Sequence, residues 1–405
     1  MTAPNLTDKQ LYEALAYMRK AGGNKTEAAR LMGIPRETFK HRLEAATMRS
    51  TAPKPSREID ERVELRDQIR TLKAQINSFN KSTLDEQYVK EKIIGLRDAP
   101  VHPPQWLVKT PKSKSAPGVP TLFASDWHMG ERVFLDQTAG VNQFDMKIAH
   151  ARIRRLITNT IDLLQNHMVN PSYPGLVFAL GGDLVSGGIH EELLATDELE
   201  IMPVVVDLIG ILIWCIDTLV VQFGHLYCPA VTGNHGRSTH KIRAKGRCHT
   251  SYDWLIYQIL AKHYENDARV QFNIPNGPDC LYKIYETRYL LTHGDQFRGG
   301  DSMIGHLGPV FRGSHKKSSR DVQIKQEFDV MILGHFHSLA MLPRIITNGS
   351  LKGYDEYAYA GNYTFERPQQ ALWITNAARG VTFNIPVHVD EKAIAKDSEW
   401  VSSWK

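Results

Sequence analysis

Apolar residues recur along this chain in two rhythms. From residue 121 onward, short apolar runs at 121–124, 176–180, 226–231, 289–292 and 330–333 have the length and composition of strands. Stretches of helical period separate them, and Ile148, Arg152, Leu156 and Leu163 lie in one whose apolar positions recur every three or four residues. Such alternation predicts an α/β domain over 121–405. Residues 1–48 instead read as three short helices. Thr7 with Gln10 and Asn24 with Glu27 have the spacing of capping boxes, and Met32-Gly33-Ile34 turns the chain into Pro35, which suits the first turn of a third helix.

Between these two regions, residues 49–120 read as a helical and proline-rich linker. Leu65, Ile69, Leu72, Ile76 and Phe79 are spaced by alternating steps of four and three, so 58–80 is either a short coiled coil, which would make a homodimer, or a lone amphipathic helix. Six prolines between 100 and 120, with no acidic residue among them, indicate extended chain. The stretch 201–221 is apolar enough to suggest a membrane span. Asp207 and Asp217 interrupt it, and each would cost roughly 2.5 to 3.5 kcal/mol near a bilayer centre, so a buried helix and no membrane partner are expected.

Hydrophobic residues make up 42% of the 405 and charged residues 23%, which suits a folded globular protein and argues against wholesale disorder. The net charge of +5 conceals an asymmetry, because residues 1–120 carry 22 Lys and Arg against 14 Asp and Glu, leaving 27 against 30 for the rest. The basic end is the expected polyanion binder. Four cysteines without a CxxC pair, and no charged-then-apolar leader, fit a reducing cytoplasm.

Each apolar run leads into a chemistry-bearing segment: Asp126-Trp127-His128, Gly181-Gly182-Asp183, Gly233-Asn234-His235, His293-Gly294-Asp295 and Gly334-His335-Phe336-His337. Ligands gather at the carboxyl ends of strands in α/β sheets, so these five loops can converge. Asp, His and Asn offer hard oxygen and imidazole donors, which suit manganese, iron, zinc or magnesium. Alternation along an extended chain would place both side chains of D-x-H or H-x-H on one face.

Taken in this order, D-x-H, GD, GNH, H and GHxH resemble the calcineurin-like metallophosphoesterase family over residues 121 to about 386, and Asn348-Gly349-Ser350 resembles that family's small-residue turn. The resemblance implies a four-layer α/β/β/α sandwich holding two divalent ions, manganese foremost. It assigns Asp126, His128 and His337 to one metal, Asn234, His293 and His335 to the other, and Asp183 to both. His235 matches the histidine that protonates the leaving oxygen. Many family members follow GNH with Asp or Glu, whereas Gly236 stands here, leaving the partner of His235 open. A basic run follows, in which Arg237, Lys241, Arg243 and Lys245 form either a phosphate cradle or a solvated loop. A second run contains Arg312, His315, Lys316, Lys317 and Arg320.

Residues 24–43 (NKTEAARLMGIPRETFKHRL) resemble a Fis-type helix-turn-helix. Ala28, Ala29, Leu31, Ile34, Phe39 and Leu43 would form its core, leaving Arg36, Thr38, Lys40, His41 and Arg42 for DNA. A helical docking domain is the alternative. Together these features lead to the expectation of a DNA phosphodiesterase similar to the SbcD-like repair nucleases, in an architecture resembling bacteriophage-encoded proteins. A phosphomonoesterase or protein phosphatase, and a DNA-binding regulator or packaging factor on a phosphoesterase scaffold, are the alternatives.

Overall fold

The structure is a computed structural model that describes residues 6–51, 103–110, 118–298 and 305–390. The heptad pattern, the 58–80 dimer segment and most of the proline-rich stretch lie outside the described residues. The chain divides into two compact units, Met1–Ile93 and Ile94–Lys405.

In the first unit, α1 (Asp8–Lys20), α2 (Lys25–Met32) and α3 (Arg36–Thr51) pack around Ala14, Ala28, Ala29 and Phe39. Thr7 and Gln10 close a reciprocal capping box on α1. Asn24 caps α2 by accepting from the Thr26 and Glu27 N–H groups, but Glu27 pairs with Arg30 instead of completing the box. The Phe39 N–H donates to the Pro35 carbonyl at 2.9 Å, which sets Pro35 at the threshold of α3. Leu31 is 43% exposed and not in the core as expected, because Ala28, Ala29 and Met32 already span the inward face of α2.

The second unit is built on two sheets. A six-stranded sheet runs β11 (Gly380–His388), β10 (Gln369–Asn376), β1 (Val119–Ala124), β2 (Leu176–Leu180), β3 (Leu226–Pro229) and β4 (Val270–Asn273), with β1 to β4 parallel. A five-stranded sheet runs β5 (Asp279–Ile284), β6 (Thr287–Thr292), β7 (Val330–Leu333), β9 (Ile345–Thr347) and β8 (Ala340–Leu342), with β6, β7 and β9 parallel. Strand alternation sorts the side chains into layers. Leu122 and Ala124 of β1 face a core shared with the helices, whereas Phe123 faces Tyr289, Leu291, Ile332 and Trp373 in the core between the sheets.

Three helices cover the outer face of the first sheet: α5 (Met146–Asn166), α7 (Ile201–Phe223) and α8 (Tyr252–His263). Two shorter ones, α4 (Gln105–Val108) and α6 (Glu191–Thr196), lie in connections, while α9 (Leu307–Gln323) supplies Val310 to the core beyond the second sheet. The result is a four-layer α/β/β/α sandwich. Among the described helices, α7 alone is long and apolar enough to cross a membrane, and half of its apolar window is buried in this unit. Its two acids reach neighbouring elements, Asp207 meeting His150 Nε2 at 2.7 Å and Asp217 accepting from the Tyr264 hydroxyl at 2.7 Å.

Candidate metal centre

Parallel pairing sets the carboxyl ends of β1, β2 and β3 along one edge, and those of β6 and β7 along the edge of the other sheet. Two hydrogen bonds join the loops across the sheets. Asp126 Oδ1 accepts from the His335 N–H at 2.9 Å, and His293 Nδ1 donates to the Gly181 carbonyl at 2.8 Å.

Strand alternation is not what aims the side chains, contrary to expectation. Asp126, His128, Asp183, His335 and His337 have φ of 55°, 50°, 52°, 70° and 52°, so the chain leaves the strands through left-handed residues. Such conformations cost about 1 to 3 kcal/mol each in a non-glycine residue and persist where surrounding contacts enforce them. Here Gln370 accepts from the Ser125 N–H at 3.0 Å, and Asn348 donates to the Phe123 carbonyl and to Ser125 Oγ at 3.1 and 2.9 Å. Two glycines make room for the acids: a Cβ at Gly233 would lie 2.0 Å from Asp183 Oδ1, and one at Gly334 would lie 2.2 Å from Asp126 Oδ2.

All seven expected ligand residues and His235 come together. Three groups have ligand atoms within 4.8 Å of one another: Asp126, His128 and His337; His128, Asp183 and His235; and Asp183, His293 and His335. Asn234 Oδ1 joins the third group at 3.1 Å from His293 Nε2. These donors are hard oxygens and imidazoles, the set that suits a divalent cation. Second contacts fix their orientation, since His293 holds the Gly181 carbonyl through Nδ1 and turns Nε2 toward Asp183 Oδ2 at 2.9 Å.

Electrostatics follow from burial and proximity. Burial opposes charge on Asp183, yet His293 and His235 beside it hold its carboxyl well below the ordinary value. The same opposition at His293 is overcome by Asp183, which pushes the imidazole up to about 10. A cation bound there competes with that proton. Burial lowers His335 to about 4 with help from His293, and lowers His235 to about 3.

Gly236 leaves no side chain to orient His235, and a backbone carbonyl takes that role: His235 Nδ1 donates to Ser186 O at 2.8 Å. The nearby carboxylate comes from α8. Asp253, fully buried, accepts from the backbone N–H groups of Asp183, Leu184 and Gly233 at 3.2, 3.3 and 2.9 Å, tying two ligand loops together. A Cβ at Gly236 would lie 3.1 Å from Asp253 Oδ2.

Sequence reasoning missed three further features. Glu131 Oε2 lies 3.3 Å from His128 Nδ1, a charge contact without hydrogen-bond alignment, and Lys352 braces Glu131 at 2.6 Å and Asp355 at 2.7 Å. Exposed His190 stacks edge-on to His235 with ring centroids 5.9 Å apart. Asp253 was invisible because an acid in the first turn of a helix, as here in α8, is ordinary and carries no mark of a site. Only the step from D-x-H to Glu131, three residues on, carried a local signal.

The basic residues divide. Arg237 donates to the carbonyls of Thr239, Asn234 and His240, stapling its own loop, and Arg247 pairs with buried Asp295 at 2.8 Å. Lys241, Arg243 and Lys245 are exposed. A small cavity lies among Asn234, Arg237, Arg243 and Arg247. In the second run, Lys317 and Arg320 both pair with Asp279. In the helical unit Arg36, Thr38, Lys40 and His41 are exposed and Arg42 is half-buried.

Residues 15–45 match the family model for bacterial regulatory proteins of the Fis family. That span contains α2, the turn at Gly33 and most of α3. No curated protein matches the chain. Among solved structures, an uncharacterized Streptococcus pneumoniae protein described as a predicted phosphoesterase is similar at 12% identity and a TM-score of 0.24, over 63% of this chain and 82% of that one. A Staphylococcus aureus protein described as a candidate 5'-nucleotidase, with bound α-ketoglutarate, is similar at 11% identity and a TM-score of 0.32, over 70% and 56% of the two chains. Likenesses this distant leave the chemistry to be judged from the chain's own residues.

Proposed function

We propose that the protein is a metal-dependent phosphodiesterase that hydrolyses DNA and is brought to it by the amino-terminal helix-turn-helix. In this reading, residues 1–48 bind DNA, 49–120 connect, and 121–405 carry the chemistry. The observation that carries it is a chain of three Asp and His groups linked through His128 and Asp183. Asp126, His128 and His337 would hold one divalent ion, and Asn234, His293 and His335 the other, with Asp183 between them. Two such ions, manganese foremost, supply positive charge to the phosphate oxygens and an activated water.

The chain's own residues do the rest. His235, held through Nδ1 by Ser186, directs Nε2 at the site, and the negative charge of a bound diester favours its protonated form. It then gives that proton to the departing sugar oxygen. Lys241, Arg243 and Lys245 offer exposed charge to the DNA backbone, and Arg237 shapes the loop that presents them. Motif order and architecture favour the SbcD-like nucleases and a bacteriophage-encoded protein. A DNA substrate and four unpaired, buried cysteines fit the cytoplasm.

The test compares labelled linear duplex, circular duplex, single-stranded DNA and a phosphorylated peptide, each with manganese and with chelator. Cleavage of DNA that chelator abolishes is the expected result. Release of phosphate from the peptide alone would make the protein a phosphomonoesterase, and no turnover of any substrate would make it a DNA-binding regulator.

A further inference from the structure

An aromatic face beside the metal centre has no part in the chemistry above. Tyr357, Tyr359, Tyr363 and Phe365 are 71%, 50%, 56% and 50% exposed within nine residues, whereas among the other described Phe, Tyr and Trp side chains of this unit only Phe311 and Phe383 are exposed. Exposed apolar side chains gathered in one segment are the kind of surface that interaction sites use. The rings pack in pairs. Tyr357 and Tyr363 stack at 5.9 Å and 26°, and Tyr354 meets Phe365 edge-on at 5.5 Å. Gly361 makes the stack possible, because a Cβ there would lie 2.5 Å from the Tyr363 ring.

The acids of this segment are used as anchors, and the anchors lead to the ligand loops. Asp355 pairs with Lys352 and caps α10 (Glu356–Ala360). Glu356 accepts from the Phe134 N–H at 2.7 Å, in the loop that carries His128. Glu366 accepts from the Leu339 N–H at 2.7 Å, two residues beyond His337. Exposed Arg132 lies 4.9 Å over the Phe134 ring and adds a cation at this border. Rings left in water, acids turned inward and a cation alongside complement a strand of unpaired bases with its phosphates.

We propose that residues 354–365 form a stacking platform for unpaired nucleobases of a strand that enters the metal centre. The proposal rests on the reading of that centre as a nuclease and adds that its substrate is single-stranded where it meets this face.

The test uses the full-length chain in chelator and compares its affinity for oligo-dT with that for an abasic oligonucleotide of equal length, which keeps the phosphates and lacks the bases. Wild type should prefer oligo-dT by about 5- to 150-fold per stacked base. The double variant Tyr357→Ala/Tyr363→Ala should bring the ratio near one, and Tyr357→Trp/Tyr363→Trp should preserve it. Equal wild-type affinity for the two oligonucleotides would overturn the platform, as would an unchanged ratio in the alanine variant, which would leave the face to a protein partner. Nothing is hydrolysed in this measurement, so a centre that cleaves no DNA and a platform that stacks no bases give separate results.

Discussion

The helical unit and the metal crater treat charge in opposite ways. Arg36, Lys40 and His41 stand exposed on α3, while Asp126, His128 and Asp183 are at most 1% exposed and lie against one another. A charge in water is cheap to keep and weak in effect; a buried one is expensive, and strong on whatever lies beside it. The first arrangement suits the capture of a long polyanion, the second the polarisation of one bond. If this division holds, removing a crater charge should stop chemistry, and removing surface charges should only weaken binding.

The largest effect is expected at Asp183, which two of the three Asp and His groups share. Asp183→Asn keeps the shape and removes the charge. Turnover of an aryl phosphodiester should be lost together with at least one bound metal per chain, while the fold survives. Full metal occupancy by elemental analysis with a normal rate would refute the assignment.

At His235 the loss should depend on substrate. A positioned acid contributes about 10²- to 10⁴-fold, most when the leaving oxygen is a poor one. His235→Ala should therefore nearly abolish cleavage of DNA, whose sugar alkoxide needs the proton, and only mildly slow a nitrophenyl diester. Equal losses on both substrates would point to a phosphate-holding role. Asp295 is a poor substitute donor, because although burial opposes its charge, His293 and Arg247 hold its carboxyl below the ordinary value.

How much of this was legible in the sequence differs between the same two regions. On the helical side the short-range signals served well, since Thr7 and Asn24 mark helix starts through contacts two or three residues away. Leu31 was misjudged because periodicity in an eight-residue helix cannot say which flank is inward. In the crater, glycine-flanked Asp, His and Asn residues marked the side chains that the structure brings together, the strand and helix rhythm predicted the α/β class, and the four layers were implied by the family resemblance. What holds these side chains was hidden. Asp253 reaches loops 70 and 20 residues away, and Lys352 reaches Glu131 across 221. Left-handed backbone at Asp126 likewise lies among distant partners, with Ser350 Oγ and the Leu351 N–H donating to its carbonyl, so a rule of local alternation could not find it.

A smaller effect is expected on the exposed side. Replacing Arg36, Lys40 and Arg42 by Ala should weaken duplex binding and flatten its salt dependence by roughly 0.9 in log-log slope for each phosphate no longer neutralised. Hydrolysis of a small aryl diester, which needs no duplex, should not change. Unaltered duplex affinity and slope would reassign the helices to protein contacts.

The smallest effect concerns stability at the crater's rim, and it asks whether a buried charge there carries a cost at all. Asp197 accepts from Ser186 Oγ at 2.9 Å, behind the carbonyl that orients His235. Burial pushes its carboxyl up to about 7, with Glu131 adding to the shift. The unfolded value is near 3.9, so the folded protein holds this proton more tightly than the unfolded chain does. That contribution to stability is complete below pH ~4 and is lost as pH rises to ~7, beyond which the folded state carries the charge. Asp197→Asn keeps the acceptor for Ser186 and never ionises. Its melting temperature should equal that of wild type near pH 4 and exceed it at pH 8, by a few degrees at most, because water reaches part of this side chain and screens the penalty. A gap of the same size at both pH values would mean that packing, not charge, separates the two proteins, and the contrast between crater and surface would then not extend to the rim.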